Sequence, residues 1–475
     1  MRATLEQCQQ WVTDSRVAAP VTAASVQCDG VDTDSRTAVA GSLFVALRGE
    51  QFDAHDFLGA VAGRGVAAVV VEETTAPENL AGLTLPLLLV PDTRIALGQI
   101  AAGWRRQFDL PLIGVTGSNG KTTVKEMIAA ILVAAFREAH SMATRGNFNN
   151  DIGVPLTLMR LDAAIYAAVV ELGMNHPGEI ALLCAMAQPT VGLVNNAQRE
   201  HQEFMSSVEA VARENGAVIS SLPANGVAVF PADDPFTGLW RELAGSRRVC
   251  TFGLAVGAEH GADVSCTYVP NTFGSTMMVV AGAEQFSLTL GAAGEHNVRN
   301  ALAAIACTRA IGVPVAAIVA GLQAFAPVAG RLQRKLAASG ALVIDDTYNA
   351  NPDSVRAAIA VLAQSPSPRV LVLGDMGEVG DDGIAFHEEI GAWAGSCGID
   401  HLLTLGELAA ASSRAFNTYA MHGVHGVHYN DIEQLQNALT LLATPGTAVL
   451  VKGSRFMKME RVVHHLLGQQ VQDSH

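Results

Sequence analysis

The sequence predicts an α/β protein of three domains: a small α/β N-terminal domain, a central domain with a mostly parallel, doubly wound sheet, and a C-terminal Rossmann-like α/β domain. The 475 residues are too many for one hydrophobic core and suit roughly two to four domains. Short apolar runs of strand length alternate with segments of helix length, which is typical of parallel sheets covered by helices. A glycine-rich loop that contains lysine also stands between one such run and a helical segment.

Composition restricts the class of protein and of partner. Hydrophobic residues make up 49% of the chain and charged residues 16%, which excludes a disordered protein. The net charge of −15 argues against nucleic acid or an anionic membrane surface as the main partner, because phosphate would be repelled over most of the surface. We therefore expect no nucleic-acid partner.

The cysteines and the apolar runs indicate the compartment. Seven cysteines are scattered without a C-x-x-C pair, which is typical of reduced thiols in a cytosolic protein. The first residues lack a basic segment followed by an apolar one, and no apolar run approaches the ~18 residues that span a bilayer. We expect a cytoplasmic protein without stable membrane insertion, and a monomer.

Residues 1–108 predict the small N-terminal domain. Apolar runs at 43–47, 66–71 and 87–90 have the length of strands, and polar or helical segments separate them. An amphipathic segment at 95–108 ends at Asp109-Leu110-Pro111, directly before the strand that leads into the glycine-rich loop. We place the first domain boundary there.

Residues 109–327 predict the central domain. Four strand-like runs alternate with helical segments, as in a parallel sheet covered on both faces. They lie at 112–115, 165–170, 191–194 and 226–230. A segment at 262–290 alternates as an antiparallel ribbon does, and a helix is predicted at about 297–311. The pattern breaks near Pro327, where we place the second boundary.

Residues 328–475 predict a smaller doubly wound unit. Its strand-like runs lie at 341–344, 370–373, 402–405 and 448–451. Charged residues follow three of these runs, among them Asp346, Asp375 and Lys452. Because parallel strands end at one edge of a sheet, these residues predict a polar rim that faces a ligand shared with the central domain.

Three histidines near the C-terminus are spaced by three residues, namely His422, His425 and His428. The spacing suggests a metal site, but Gly423 and Gly426 between them favour a loop. We predict a loop without a metal.

The phosphate loop, residues 114–123 (GVTGSNGKTT), is the most informative motif. Such a loop turns backbone N–H groups and a helix N-terminus toward one point, where Lys121 adds a positive charge and the Thr122 hydroxyl can ligate Mg²⁺. Val115 stands where the common spacing has its first glycine, so the motif is a variant. A glycine turn before a helix that happens to contain lysine is the alternative, which the strand–loop–helix context disfavours. The motif predicts a nucleoside triphosphate site.

Two further strand ends carry candidate metal ligands. Glu171 follows an apolar run and is a candidate Mg²⁺ ligand with Thr122, because a hard cation takes oxygen donors and keeps water and substrate phosphate in its shell. The alternative is a surface glutamate at a strand end. His201 follows the next strand and could reach the same edge, although a lone histidine in such a place is more often structural.

Asparagines and an arginine downstream suit a nucleotide. Asn297 and Asn300 lie in the first turns of a predicted helix, where amides suit an adenine edge, although capping of the helix alone would explain Asn297. Arg331, at the second boundary, is a permanently charged fork that could reach a γ-phosphate from the neighbouring domain. Taken alone, it is an ordinary surface arginine.

Taken together, these residues resemble the Mur ligases of peptidoglycan assembly over nearly the whole chain. In the first domain the resemblance lies in segments 34–36 (DSR), 41–49 (GSLFVALRG) and 53–57 (DAHDF), with which the family holds the uridine nucleotide of its substrate. Segments 144–150 (TRGNFNN), 346–352 (DTYNANP) and 452–460 (KGSRFMKME) resemble the members that add D-alanyl-D-alanine. The Asp-Asn-Pro-Arg motif of the member that adds the preceding diamino acid is absent from the sequence.

The resemblance implies that ATP phosphorylates the terminal carboxylate of a UDP-N-acetylmuramoyl-tripeptide, and that the amine of D-alanyl-D-alanine attacks the resulting acyl phosphate. It implies ATP and Mg²⁺ as cofactors and a third domain that closes over ATP. The implied catalytic residues are Lys121, His201, Arg331 and Lys452. The implied ATP-binding residues are Gly117, Ser118, Asn119, Gly120, Lys121, Thr122, Thr123, Asn297, Asn300, Arg331 and Asp346. The implied substrate-binding residues are Ser35, Arg36, Phe44, His55, Thr144, Asn147, Asn149, Asn150, Tyr348, Asn349 and Ser454, and the implied metal ligands are Thr122, Glu171 and His201.

Two departures from the family pattern stand out. The family usually has Asn-Ile-Gly-x-Ala-His where this chain reads NAQREH at 196–201. The lysine that many Mur ligases carbamoylate aligns with Asn215, and asparagine cannot carry a carbamate. We hypothesise that Glu214 or a nearby carboxylate supplies the missing negative charge to a second magnesium.

The sequence leaves three alternatives to a ligase that adds D-alanyl-D-alanine. A folylpolyglutamate-type ligase has another amino acceptor, and the uridine-type first domain argues against it. A P-loop nucleotide switch should hydrolyse nucleotide without a small-molecule acceptor, whereas a ligase should need both carboxyl and amine substrates. A non-catalytic scaffold is disfavoured because Lys121, Thr122 and Glu171 are intact.

Overall fold

The computed structural model describes residues 1–18, 25–200, 203–255, 261–271, 273–419 and 425–469. Three larger sheets, each with helices packed against it, follow one another along the chain. The predicted α/β class with mostly parallel sheets is confirmed. His201 and His422 lie outside the described residues.

The first unit contains a five-stranded sheet of order β2-β7-β6-β5-β4, which is parallel except for β2, and a two-stranded antiparallel ribbon of β1 and β3. Its elements are β1 (Arg2–Thr4), α1 (Leu5–Trp11), β2 (Arg16–Ala18), β3 (Gln27–Asp29), β4 (Val31–Asp32), β5 (Leu43–Val45), α2 (Leu58–Gly63), β6 (Ala68–Glu72), α3 (Pro77–Leu80), β7 (Leu87–Val90) and α4 (Thr93–Arg105). Asp92 caps α4 by accepting hydrogen bonds from the N–H groups of Arg94 and Ile95.

The second unit is built on a nine-stranded sheet of order β16-β15-β14-β13-β12-β11-β8-β10-β9, parallel from β9 to β14. Its elements are β8 (Leu112–Thr116), α5 (Lys121–Phe136), β9 (Ser141–Ala143), α6 (Gly153–Leu158), β10 (Ala167–Glu171), α7 (Glu179–Ala187), β11 (Val191–Val194), α8 (Val208–Asn215), α9 (Ala217–Ser220), β12 (Val227–Pro231), α10 (Thr237–Ala244), β13 (Arg248–Leu254), β14 (Val264–Asn271), β15 (Gly274–Ala281), β16 (Glu284–Leu290), α11 (Glu295–Ala310) and α12 (Val315–Ala324). The four predicted parallel strands and the antiparallel ribbon are confirmed. The central strands are buried on both faces, which explains why they read as continuous apolar runs.

The third unit is a six-stranded sheet of order β17-β18-β22-β19-β20-β21, antiparallel only at β17. Its elements are β17 (Gln333–Leu336), β18 (Leu342–Asp346), α13 (Pro352–Leu362), β19 (Arg369–Gly374), α14 (Gly383–Ser396), β20 (His401–Leu405), α15 (Ala409–Tyr419), β21 (His425–Tyr429), α16 (Ile432–Leu442), β22 (Ala448–Lys452) and α17 (Glu460–Leu466). The four strands expected from sequence are confirmed.

The prediction of a loop at the spaced histidines is wrong for the two that the structure describes. His425 and His428 lie in the edge strand β21. Gly426 in this strand lets α15 pack closely, because a Cβ there would lie 3.0 Å from the Phe416 ring and 3.0 Å from the Ser413 carbonyl oxygen. The glycine is therefore explained by close packing here rather than by a loop.

The cores explain how the units are held together. One apolar cluster runs from α1 and α4 of the first unit to β8, α7 and α10 of the second. The third unit has clusters of its own on the two faces of its sheet. None of the helices in the described part of the chain combines the length and the apolarity that a bilayer crossing requires.

Candidate active site

The phosphate loop lies at the carboxyl end of β8, between that strand and α5. Gly117 has a φ of +131° and Gly120 a φ of +83°, a region that favours glycine. A Cβ on Gly120 would lie 2.5 Å from the Asn300 Oδ1 atom, and one on Gly117 would lie 3.0 Å from the Asn195 backbone nitrogen. Both glycines are therefore required by conformation and by space.

The loop after β11, residues 195–200, holds the phosphate loop from one side. The Asn196 side chain accepts a hydrogen bond from the Asn119 N–H at 2.8 Å and donates one to the Asn119 carbonyl oxygen at 2.9 Å. The Gln198 N–H donates to the Ser118 hydroxyl at 2.8 Å, and the Asn195 amide donates to the Asn119 carbonyl oxygen at 2.8 Å. These contacts hold the phosphate loop in its shape.

Lys121 begins α5 and lies within this arrangement. Its ammonium group lies 2.5 Å from the Gly117 carbonyl oxygen, 3.2 Å from the Ser118 carbonyl oxygen and 3.2 Å from the Glu200 Oε2 atom. An ammonium group has three protons, so these three acceptors satisfy it. A phosphate bound in the loop would exchange with some of these acceptors.

Glu171 and Thr122 meet at the carboxyl end of β10. The Thr122 hydroxyl donates to Glu171 Oε1 at 3.0 Å, and the Asn149 amide donates to the same oxygen at 2.9 Å. Glu171 is 2% exposed, and among the described residues its second oxygen, Oε2, has no hydrogen-bond partner. A buried carboxylate oxygen left open beside a hydroxyl is a donor set that suits a hard divalent cation.

The rim of the third unit faces this edge. Lys452 donates to Asp346 Oδ2 at 2.5 Å and to the Asn349 carbonyl oxygen at 2.9 Å. The Arg331 guanidinium lies 4.1 Å from the centre of the Tyr348 ring, and no partner for its buried Nε–H is found in the described part of the chain. The prediction of a polar rim agrees with this arrangement for Asp346 and Lys452, whereas the Asp375 carboxylate accepts hydrogen bonds from the N–H groups of Glu407 and Ala409 and is not part of the described cavity wall.

Both sets of residues line one cavity of about 660 Å³ between the second and third units. The predicted residues that line it are Ser118, Asn119, Gly120, Lys121, Thr122, Thr123, Asn149, Asn150, Glu171, Asn297, Asn300, Arg331, Asp346, Tyr348, Asn349 and Lys452. The structure thus brings together most of the ATP and metal residues expected from the sequence. Lining residues that the sequence reasoning missed include Asn195, Arg199, Asp233, His296 and Asp353.

The two asparagines at the start of α11 hydrogen-bond to neighbouring groups of the protein, and Asn300 Oδ1 accepts a hydrogen bond from the Asn195 amide at 2.9 Å. The Asn297 amide donates to the Ala293 carbonyl oxygen at 2.8 Å, and the Asn300 amide donates to Asn297 Oδ1 at 3.2 Å. Since α11 begins at Glu295 with Gly294 as its N-cap, the alternative that Asn297 caps the helix is wrong. Nearby, burial in the cavity wall lowers the pKa of His296 from its ordinary value of 6.5 to about 4, so the ring is neutral at pH 7.

The predicted substrate residues of the first unit lie away from this cavity. Phe44 is fully buried in β5, so its side chain belongs to the core. His55 uses both ring nitrogens, one against Asp53 Oδ1 at 2.6 Å and one as acceptor from the Glu72 N–H at 3.1 Å. Arg36 is exposed and forms a forked pair with Asp34, whose pKa it lowers to about 2. The side chains of Phe44 and His55 therefore take part in the packing and hydrogen bonding of this unit, while the Arg36 side chain reaches solvent.

Two other predicted substrate residues, Thr144 and Ser454, contact residues that line the cavity. Thr144 is buried, and its hydroxyl accepts a hydrogen bond from the Glu171 N–H at 3.0 Å. The Ser454 hydroxyl accepts from the Gly377 N–H at 2.7 Å and donates to the Ala350 carbonyl oxygen at 3.2 Å. Ser35 and Asn147 form none of the cavity wall in the described residues.

Comparisons with known proteins identify the family of this fold and site. Three family models match the chain: the Mur ligase family, catalytic domain at residues 27–105; the Mur ligase middle domain at 115–308; and the Mur ligase, glutamate ligase domain at 330–455. The chain belongs to the Mur ligase family.

Named relatives and solved structures extend this assignment. The Mur ligase described here is 40% identical over 446 residues to the UDP-N-acetylmuramoyl-tripeptide--D-alanyl-D-alanine ligase of Escherichia coli (strain K12), covering 93% of this chain and 94% of the relative. It is 35% identical to the ligase of the same name from Bacillus subtilis (strain 168), covering 92% and 93%. A crystal structure of MurF from Acinetobacter baumannii matches with a TM-score of 0.89 at 35% identity over 99% of both chains. The MurF ligase of Thermotoga maritima in complex with ADP matches with a TM-score of 0.79 at 26% identity over 93% of this chain and 97% of that one.

In this Mur ligase, Asn215 holds the start of the phosphate loop. It is 1% exposed, and its Oδ1 atom accepts hydrogen bonds from the Thr116 hydroxyl at 2.6 Å and the Gly117 N–H at 2.9 Å. Its amide donates to the Val211 carbonyl oxygen at 3.1 Å. The residue is therefore a clamp on the phosphate loop in place of a carbamoylated lysine.

The hypothesis for Glu214 does not agree with the structure. Its two carboxylate oxygens accept hydrogen bonds from the N–H groups of Gly178 at 2.8 Å and Ile180 at 2.9 Å, at the beginning of α7. Such a carboxylate satisfies the unpaired N–H groups of a helix end. Glu214 is also absent from the described wall of the cavity, so it is a helix cap in this Mur ligase rather than a charge beside a second magnesium.

Proposed function

We propose that this Mur ligase joins D-alanyl-D-alanine to UDP-N-acetylmuramoyl-tripeptide at the expense of ATP. The observation that carries the proposal is the single cavity in which the phosphate loop, Glu171 and the cationic rim of the third unit converge. The E. coli and B. subtilis relatives of that name support the choice of substrates. A structural neighbour in complex with ADP supports the choice of nucleotide.

In the proposed reaction, a carboxylate oxygen of the tripeptide attacks the γ-phosphorus of ATP, and ADP leaves. The amine of D-alanyl-D-alanine then attacks the acyl carbon, loses a proton and displaces phosphate, so that an amide bond forms. Phosphoryl transfer of this kind needs alignment and neutralisation of charge more than a covalent catalyst. Lys121 and Arg331 bring positive charge to the cavity from two different units.

Mg²⁺ is part of the proposal because the residues fit it. Thr122 and Glu171 would hold the ion, and the open Glu171 Oε2 atom is the observation that supports this assignment. A bound Mg²⁺ would neutralise charge on the β- and γ-phosphates. His201, a further ligand in the proposal, lies outside the described residues.

Further residues are proposed to contact the nucleotide of each substrate. Asp346, paired with Lys452, would face the ribose of the nucleotide, and Asn297 with Asn300 would face the adenine edge. The substrate residues of the first unit, Ser35 and Arg36 among them, would hold the uridine nucleotide.

We propose domain limits of 1–108, 109–327 and 328–475. We also propose a cytoplasmic location, which the free cysteines of the described residues support. Residues of one chain line the cavity, so the proposal requires no second copy.

The test is ATP-dependent phosphate release with UDP-N-acetylmuramoyl-tripeptide, measured with and without D-alanyl-D-alanine. The proposal expects release only when both substrates are present, and loss of release in Lys121→Ala. The exposed variant Glu209→Gln, on the surface of α8, is the matched control and should keep wild-type activity. Release that ignores D-alanyl-D-alanine would contradict the proposal and indicate another acceptor or a nucleotide switch.

A further inference from the structure

Arg199 connects the second and third units through two carboxylates. Its guanidinium donates to Asp353 Oδ1 at 2.7 Å and Oδ2 at 3.2 Å, and to Glu389 Oε2 at 2.7 Å and Oε1 at 3.1 Å. Its backbone N–H donates to Asp353 Oδ2 at 3.0 Å as well. Forked pairs of this kind fix geometry as well as charge, which a lysine cannot reproduce.

The environment makes this arrangement stronger than an ordinary surface ion pair. The side chains of Arg199, Asp353 and Glu389 are 24%, 23% and 32% exposed. Arg356 donates to Glu389 Oε1 at 2.9 Å, so two cations and two carboxylates balance in one network. The guanidinium of Arg199 also lies over the Phe386 ring, 5.3 Å from its centre. Hydrogen bonds from Arg199 hold the pKa of the Glu389 carboxyl below its ordinary value, despite partial burial.

A second contact lies beside the first. Asn351, the N-cap of α13, donates from its side-chain amide to Asn119 Oδ1 at 3.0 Å. Asn119 belongs to the phosphate loop, and Asp353 follows Asn351 in the first turn of α13. The start of one helix of the third unit therefore rests on the phosphate loop and on Arg199 together.

Arg199 also lies next to the residue that contacts the loop lysine. Glu200 accepts a hydrogen bond from the Lys121 ammonium, and Gln198 on the other side bonds Ser118. Because Arg199 stands between them, a movement of the third unit that displaces its guanidinium also displaces the segment that holds the phosphate loop. The two sides of the cavity are thus connected through one side chain.

We propose that Arg199 is a positioning residue that latches the third unit over the cavity and sets the phosphate loop at the same time. The latch keeps Arg331 and Lys452 opposite Lys121, and it keeps water from the acyl phosphate while the amine attacks. The catalytic part of this inference rests on the proposed ligase function. The structural part, the connection between the units, is independent of it.

The experiment compares wild type with Arg199→Ala, Arg199→Lys, Glu389→Gln and the double variant Arg199→Ala/Glu389→Gln. We expect Arg199→Ala to lower kcat/KM for ATP by about tenfold, as the loss of a coupled ion network does. Phosphate release should also exceed amide formation, because water reaches the acyl phosphate. Arg199→Lys should be intermediate, and the double variant should lose little beyond Arg199→Ala alone, because both changes break one contact.

A second measurement does not depend on activity. Small-angle X-ray scattering should give a larger radius of gyration for Arg199→Ala than for wild type, and the difference should shrink in high salt as the wild-type latch is screened. Arg213→Ala, which removes an exposed pair within α8, is the matched control and should change neither readout. If Arg199→Ala fails to fold, Glu389→Gln, at a more exposed position, takes its place in both measurements.

Three results would overturn the latch. The first is a phosphate-to-amide ratio of one in Arg199→Ala, the second is a radius of gyration equal to that of wild type, and the third is additive losses in the double variant. If wild type forms no amide bond, the proposed function fails, whereas the scattering comparison still decides whether Arg199 holds the two units together.

Discussion

Replacement of Glu171 by glutamine should separate stability from activity. The carboxylate is 2% exposed and forms no ion pair with any other described residue, and only one of its oxygens accepts hydrogen bonds. Burying an unpaired carboxylate costs several kcal/mol, of which we take about 4. Each of its two hydrogen bonds, from Thr122 and Asn149, should lose about 1–1.5 kcal/mol when the acceptor becomes neutral. The difference predicts that Glu171→Gln unfolds with a free energy about 1–2 kcal/mol larger than wild type when Mg²⁺ and ATP are absent.

The same change should damage catalysis. Glutamine keeps the oxygen that faces Thr122 but removes the charge that would hold Mg²⁺, so kcat/KM should fall by about 10²–10³-fold. The assay is denaturant unfolding without ligand, together with the Mg²⁺ dependence of phosphate release. Mg²⁺ with ATP should raise the stability of wild type more than that of the variant, because a ligand stabilises the state that binds it. Glu209→Gln is the matched control. A Glu171→Gln variant that keeps more than a third of wild-type activity, or that unfolds more easily than wild type without ligand, would contradict this role of Glu171.

Three further predictions concern other parts of the molecule. Asn215→Ala should lower stability by about 2–4 kcal/mol, because it leaves the Gly117 N–H and the Thr116 hydroxyl unpaired in a buried place; denaturant unfolding measures this, and a loss below 0.5 kcal/mol would contradict the clamp. Since the pKa of His296 is lowered from 6.5 to about 4, the unfolded chain binds the proton first, and stability should fall as pH drops from 6.5 to about 4. In His296→Phe, the free energy of unfolding should vary less with pH across that window, and an unchanged pH dependence would contradict the assignment. Arg105 donates to carbonyl oxygens of Ala187, Phe108, Leu110 and Gln188 where the first two units meet, so Arg105→Ala should lower stability by about 3 kcal/mol, and a thermal midpoint equal to that of wild type would contradict it.

The sequence predicted the strands of the parallel sheets well because both of their faces are buried. β8, β11 and β22 read as continuous apolar runs for that reason. The edge strand β17 has the sequence QRKL and alternates between half-buried and exposed positions, so its composition resembles a loop. β21 contains Gly426, which allows α15 to pack closely against the strand, whereas the sequence pattern predicted a loop there.

The site was predictable where one short segment carries the chemistry. The phosphate loop and Glu171 lie at strand ends, and the topology of a parallel sheet brings them together. The roles of Asn195 and Arg199 were not predictable, because their partners Asn300 and Asp353 lie more than a hundred residues away. The paired asparagines Asn195 and Asn196 at the end of β11 were the available signal, since adjacent amides at a strand end are suited to hold a neighbouring loop.

In the proposed function, one cavity forms an acyl phosphate and passes it to an amine. The most direct test supplies UDP-N-acetylmuramoyl-tripeptide labelled with ¹⁸O in its terminal carboxylate, together with ATP and D-alanyl-D-alanine, and follows phosphate and peptide by mass spectrometry. Because a carboxylate oxygen bridges to phosphorus before the amine attacks, each phosphate released should carry one ¹⁸O atom, and pentapeptide should form in equal amount. Unlabelled phosphate, or phosphate formed without pentapeptide, would contradict the account.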